Sequence, residues 1–330
     1  MAKKDKDKKR KDKGGKKEKG AKKQKAEARN LDELPPLAPQ ESHGTYSDGH
    51  PLDEVHYLEC KLILKPDNFT SVKSFKQCSE LVRRAADECK VGFDTSIFAG
   101  QRPQIREVIF LDTPDFQLYN NAFILRRRIT YENGFPVGDP EMVFKFRHPD
   151  LQAAAAMDVR PSLPGQHVMK FKAEALPLKD KLGGFRLLYS HNVEFPMSAA
   201  GSTTAMREVV QALPALQALA ISEDQHLALV NQMIVEEVLL DLGVLDFGKG
   251  VTAKANAALW RSRGDHRPLV GEFSFQCKFR RRDELHDKAM RRCQKFFVTL
   301  QDEIQDLISL TTTKTGMVYR AQGNAPAAHE

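Results

Sequence analysis

FLDTPDFQLYNNAFILRRR, Phe110 to Arg128, is the stretch from which the fold can be read. Arg106 to Leu111 leads into it as a short strand. Asp112-Thr113-Pro114-Asp115 then supplies a proline and two aspartates, residue types fitted to shaping a turn. From Ala122 to Thr130 the pattern alternates with period two, the mark of a strand. Its two faces differ in kind. Arg126 and Arg128 share one, while Arg127 stands on the other with Phe123 and Leu125.

The same division recurs along the chain. In His56 to Leu64 (HYLECKLIL), Tyr57, Glu59, Lys61 and Ile63 oppose a face of His56, Leu58, Cys60, Leu62 and Leu64. Lys145 and Arg147 oppose Phe144 and Phe146 in the strand Met142 to Arg147. Lys170 and Lys172 oppose Met169 and Phe171 in Val168 to Glu174. Glu272, Ser274, Gln276 and Lys278 oppose Phe273, Phe275 and Cys277 in Val270 to Phe279. Arg186 to Phe195, Val238 to Phe247 and Ala253 to Trp260 read as further strands.

Helical spacing marks Ser71 to Cys89, Thr204 to Leu213, Glu223 to Met233 and Asp283 to Leu310; Ser222 and Gln225 are spaced as a capping box for the third. Residues 148–167 read as an excursion on the surface. The sum is an α+β chain of about eight mainly antiparallel strands with flanking helices.

Two arrangements produce strands with one apolar and one ionisable face. One is an open sheet with a wet side. The other is a closed barrel, polar within and covered by helices without. Like charges on adjacent strands repel, so same-face cations in i, i+2 pairs favour a polyanion ligand. Guanidinium groups grip phosphate oxygens in pairs, and ammonium groups act as point charges. Glu59 and Glu272 are candidates for a divalent ion, since Mg²⁺ takes one or two carboxylates plus substrate phosphates.

Bulk charge is uneven. Of 51 Lys/Arg and 44 Asp/Glu, residues 1–29 hold fifteen and five, a local balance of +10. The rest of the chain carries 36 and 39, a balance of −3, so only the tail resembles a nucleic-acid binder. Residues 1–50 are expected to be a disordered lysine-rich tail and linker, open to nucleic acid or other polyanions. The domain is expected over 51–320, with a frayed end over 321–330. Five cysteines without a Cys-x-x-Cys pair argue against a disulfide framework or a cysteine zinc site. With no apolar leader and no uncharged run of about 18 residues, a cytoplasmic protein is expected.

The quoted stretch closely resembles the (Y/F)-F-D-T-P-D signature, with its later L-R-x-R, of the triphosphate tunnel metalloenzymes, also called CYTH proteins. Val143 to Arg147, Leu269 to Lys278 and Ser309 to Arg320 resemble that family's next basic strand, late acidic strand and closing element. The resemblance implies an eight-stranded antiparallel tunnel flanked by helices. It implies hydrolysis of a phosphoanhydride, with Mg²⁺ or Mn²⁺, in a triphosphate-containing small molecule or polyphosphate. By position, Lys61, Arg126, Arg128, Lys145 and Arg147 would contact phosphates, with Arg186, Lys254 and Arg261 as looser candidates. Glu59 and Glu272 would hold metal, and Glu59 and Lys61 would serve catalysis. The chain also departs from the family. Tyr57 replaces the first glutamate of Glu-x-Glu-x-Lys, and Ser274 and Gln276 stand where acids are expected. The basic half of the site is intact and the acidic half thinned, which leaves a non-catalytic polyphosphate- or nucleotide-binding module as the alternative.

Overall fold

The computed structural model describes residues 51–322 apart from 52, 97–98, 202–203 and 311; the tail expected over 1–50 and the segment 323–330 lie outside the described residues. In chain order the elements are β1 (Tyr57–Leu64), α1 (Val72–Cys89), β2 (Gly92–Asp94), β3 (Gln104–Asp112) and α2 (Gln117–Asn120). They continue with β4 (Phe123–Glu132), β5 (Phe135–His148), α3 (Leu151–Ala156), β6 (Val168–Pro177), β7 (Phe185–Pro196) and α4 (Met206–Ala212). The last are β8 (Ala228–Leu229), β9 (Val235–Asp246), β10 (Thr252–Ser262), β11 (Pro268–Lys278), α5 (Asp287–Glu303) and α6 (Lys314–Tyr319).

Nine of these strands close a barrel in the order β9-β10-β11-β1-β6-β7-β5-β4-β3, and β3 pairs back to β9. The short β2 and β8 add to β9 and β3. The expectation was about eight strands, mainly antiparallel. An odd ring cannot alternate direction all the way round, and the one parallel seam is β1–β6. Asn133 and Gly134 join β4 to β5 at φ 51° and 88°. A two-residue hairpin needs this left-handed pair so that the turn matches strand twist.

Alternation decides what each face meets. Outward, Leu58, Cys60, Leu62, Phe273 and Phe275 pack under α1 and α5 against Phe75, Val82, Phe296 and Phe297. A second outer cluster joins Leu125, Phe144 and Phe195 to Met206 and Val209 of α4. Each such large side chain contributes roughly 1.5–3 kcal/mol by leaving water. All five cysteines are buried free thiols. No described helix is long and apolar enough to cross a membrane.

Inward-facing residues divide the lumen in two. Ile63, Val108, Phe110, Ile124, Val235 and Trp260 gather at one end and pack with Val318 and Tyr319 of α6. That end is therefore filled. The α6 helix is anchored by Asp112, whose carboxylate accepts from Thr113 N at 2.7 Å, Leu118 N and Tyr119 N at 2.9 Å, and the Tyr319 hydroxyl at 3.0 Å. The Asp-Thr-Pro-Asp turn thus also binds the C-terminal element to β3.

Several elements differ from expectation. No α-helix forms over 223–233. Ala228 and Leu229 pair with β3 instead, and Asn231 and Gln232 take φ of 50° and 51°, which a helix excludes. Asn231 Nδ2 then donates to the carbonyls of Val318 and Tyr319 at 2.7 and 3.0 Å. Residues 148–167 include α3, with Leu151, Ala154 and Ala155 buried, so the excursion is partly core. The long C-terminal helix stops at Glu303 because the chain turns back to β1, where Ser309 N donates to Ile63 O at 2.8 Å.

Candidate functional site

Beyond the apolar plug the lumen holds a cavity of about 450 Å³. Ten Lys/Arg and six Asp/Glu line it, an excess of four positive charges. Glu59, Lys61, Arg126, Arg128, Lys145, Arg147, Lys254 and Glu272 are all among the lining residues. Period-two alternation carries them there from β1, β4, β5, β10 and β11.

Two of the looser candidates are not in the lining. Arg186 shares the inward parity of Asn192 and Glu194 but sits at the end of β7, opposite the lining residue Leu176, and does not itself line the cavity. Arg261 follows a register shift after Trp260 and falls on the outer side, where its Nε donates to Glu236 at 2.6 Å. Since Trp260 takes the inward position, its neighbour points out. Lys254 lies at the rim, 54% exposed, with Asp241 at 2.8 Å.

Several lining residues were not singled out from the sequence. Glu174 continues the parity of Lys170 and Lys172 on β6, a signal that could have found it. Glu194 lies on a strand recognised as such but not read for its charge, and Glu237 lies one residue before the expected start of its strand at Val238, inside the observed β9. Arg106 lies at the start of the short strand leading into the turn. Lys314 comes from a helix, so no strand alternation could place it.

The acids and bases are interleaved. Glu174, 1% exposed, meets Lys61 Nζ at 3.2 Å, Lys145 Nζ at 3.5 Å and Arg147 Nε at 3.4 Å. Glu59 meets Lys61 at 3.2 Å and Lys172 at 3.1 Å. Gln276, where an acid was expected, accepts from Lys172 at 2.8 Å, and the Ser274 hydroxyl is taken by Asn256 at 3.0 Å. Glu194 meets Lys170 at 2.5 Å and Arg128 at 3.4 Å. Near the plug, Glu237 accepts from Arg106 Nε at 2.8 Å, Trp260 Nε1 at 2.9 Å and Lys314 at 3.2 Å. Lys314 also reaches Glu272 at 2.8 Å and lies 4.8 Å from the Trp260 ring centroid. The buried Nε of Arg126 has no hydrogen-bond partner among the described residues; the same holds for Arg128 Nε, although Arg128 Nη2 reaches Glu194.

Charge states follow from this packing. Burial alone would raise the Glu59 carboxyl, but Lys172 and then Lys61 outweigh it and hold it at about 2. Burial likewise opposes ionisation of Glu174, and Arg147, Lys61 and Lys145 together hold it well below the ordinary carboxylate range. Burial lowers Lys145 well below the ordinary lysine value; Glu174 opposes this and Arg147 adds to it. Arg126 is lowered to about 10, first by burial and then by Arg128.

A resident divalent ion does not fit these residues. β1 and β11 place Glu272 opposite Ile63, four residues along from Glu59. That separates the two expected ligands by about 13 Å along the strands, too far to share an ion. The acid beside Glu59 is Glu174, at the same register position on β6. Both are already engaged by ammonium and guanidinium groups, and no group of three His, Cys, Asp or Glu able to hold a metal occurs among the described residues.

The chain matches no protein-family model and no curated protein. Among solved structures it is similar to a candidate adenylyl cyclase from Hippeastrum with a dominant triphosphatase activity, at 12% identity over 84% of this chain and 100% of that one, TM-score 0.39. It is also similar to PH1819 from Pyrococcus horikoshii OT3, at 14% identity over 81% and 100%, TM-score 0.34. A candidate adenylate cyclase from Bacillus halodurans matches at 13% identity over 79% and 95%, TM-score 0.35.

Proposed function

We propose that the lumen binds a linear chain of phosphates, either inorganic or carried by a triphosphate-bearing small molecule. The observation that carries this reading is Arg126, a guanidinium deep in the barrel with an unmatched buried Nε beside a lining of excess positive charge. Buried donors cost free energy unless partnered. A phosphate oxygen supplies the missing acceptor, and Arg128, Lys145 and Arg147 on the same wall extend the contact to neighbouring phosphates. Because one end is filled by α6 and its apolar neighbours, the chain enters from the end bearing Lys172 and Lys254.

Binding is better supported than hydrolysis. A carboxylate held near 2 is a poor base for activating water, and the acids are committed to the protein's own cations. The second reading, metal-dependent phosphoanhydride hydrolysis with Glu59 and Lys61 in catalysis, requires an ion that arrives with the substrate's phosphates, because Glu59 and Glu174 are engaged by the protein's own cations. Calorimetric titration of the full chain with tripolyphosphate, with chelator present, tests the first reading, and saturable binding is expected. Phosphate release from tripolyphosphate, thiamine triphosphate, ATP or polyphosphate on adding Mg²⁺ or Mn²⁺ would establish the second; its absence alongside binding would leave the first alone.

A further inference from the structure

The functional reading leaves Glu174 unexplained. A binding site for anions places a fully buried carboxylate at the centre of its cations. Lys61 approaches from β1 at 3.2 Å, and Lys145 and Arg147 approach from β5, across β7, at 3.5 and 3.4 Å. Lys172 lies on the same strand, close enough to act on its charge. The acid does not answer a hydrogen-bonding need of the wall, since its contacts are the very groups assigned to phosphate.

The physical reason lies in the cations themselves. Several cations held together in a region of low dielectric repel one another strongly. Uncompensated, they would splay apart or lose protons, and the buried Lys145 would lose its proton first. A carboxylate among them opposes that loss and keeps them converged. The cost appears on binding, wherever a phosphate takes the place on Lys61, Lys145 and Arg147 that Glu174 now holds.

We infer that Glu174 is an internal stand-in for phosphate, and that a ligand binds by displacing its carboxylate from Lys61, Lys145 and Arg147. This rests on the phosphate-chain reading and deepens it. A single phosphate trades one anion for another at this cluster and gains little. A chain gains from its further phosphates, which reach Arg126 and Arg128 without displacing Glu174 again. The substrate class is therefore a run of contiguous phosphates, and orthophosphate is rejected by competition rather than by size.

The test is the affinity of wild type and Glu174→Gln for orthophosphate and tripolyphosphate, by calorimetry on the full chain. Wild type should bind tripolyphosphate at least about 100-fold more tightly than orthophosphate, the worth of two charge-assisted contacts. Glu174→Gln should bind both ligands about tenfold more tightly than wild type and bring orthophosphate into the measurable range. A carboxylate that merely positions the cations gives the opposite sign, so weaker binding by a folded Glu174→Gln overturns the inference. Should that variant fail to fold, Glu174→Asp keeps the charge but withdraws it by one methylene. A severalfold gain in affinity there supports displacement, and a loss or no change overturns it. If wild type binds no tripolyphosphate, the functional reading fails as well, which separates the two failures.

Discussion

Glu59 and Glu174 stand side by side at one register position of the parallel pair β1–β6, and Lys61 touches both carboxylates at 3.2 Å. One ammonium thus serves two buried acids. Removing it while leaving the acids is costly, because breaking a buried ion pair strands a charge at roughly 3–5 kcal/mol. Lys61→Met is expected to destabilise by about that amount in urea unfolding at pH 7. Lys61→Met combined with Glu174→Gln should recover part of the loss, since residues in one network are not additive.

The same network sets the acid response. Glu59 is held at about 2, and Glu174 and Glu237 are also lowered. For each the folded state favours the ionised form. Their stabilisation is therefore present above the ordinary glutamate value and is lost as pH falls toward 2. The denaturant midpoint should change little from pH 7 to 5 and drop steeply below about 4.5. Glu59→Gln should make that drop shallower.

Asp112 gathers four donors, three from the backbone and one from Tyr319. Tyr319→Phe removes one and should cost about 1 kcal/mol. Asp112→Asn is expected to cost more, about 3 kcal/mol, because the amide turns a nitrogen toward donors that need an acceptor. Thermal unfolding of the two variants beside wild type checks the order.

Period-two alternation reported the wall of the barrel but neither its closure nor its end. It put Lys61, Arg126, Lys145 and Glu272 on one face, and the structure turns that face inward. It could not tell a wet sheet from a lumen, because closure depends on the β3–β9 pairing between residues about 130 positions apart in sequence. Glu174 was legible in principle as the next inward residue after Lys172. Lys314 was not, since a side chain delivered into a barrel by a terminal helix leaves no periodic trace. Arg261 shows the reverse error: it was placed by resemblance, and the parity of Lys254, Asn256 and Trp260 already puts it on the outer face. Residues 223–233 have helical composition, but strand pairing by Ala228 and Leu229 and two left-handed residues override it.

Tripolyphosphate affinity, measured by calorimetry with chelator present for wild type, Arg126→Ala and Arg261→Ala, tests the central claim most directly. Both substitutions delete one arginine, but only Arg126 lines the lumen. The account predicts binding at least about tenfold weaker in Arg126→Ala, the loss of one charge-assisted contact, and wild-type affinity in Arg261→Ala. Equal affinity in all three proteins would contradict it.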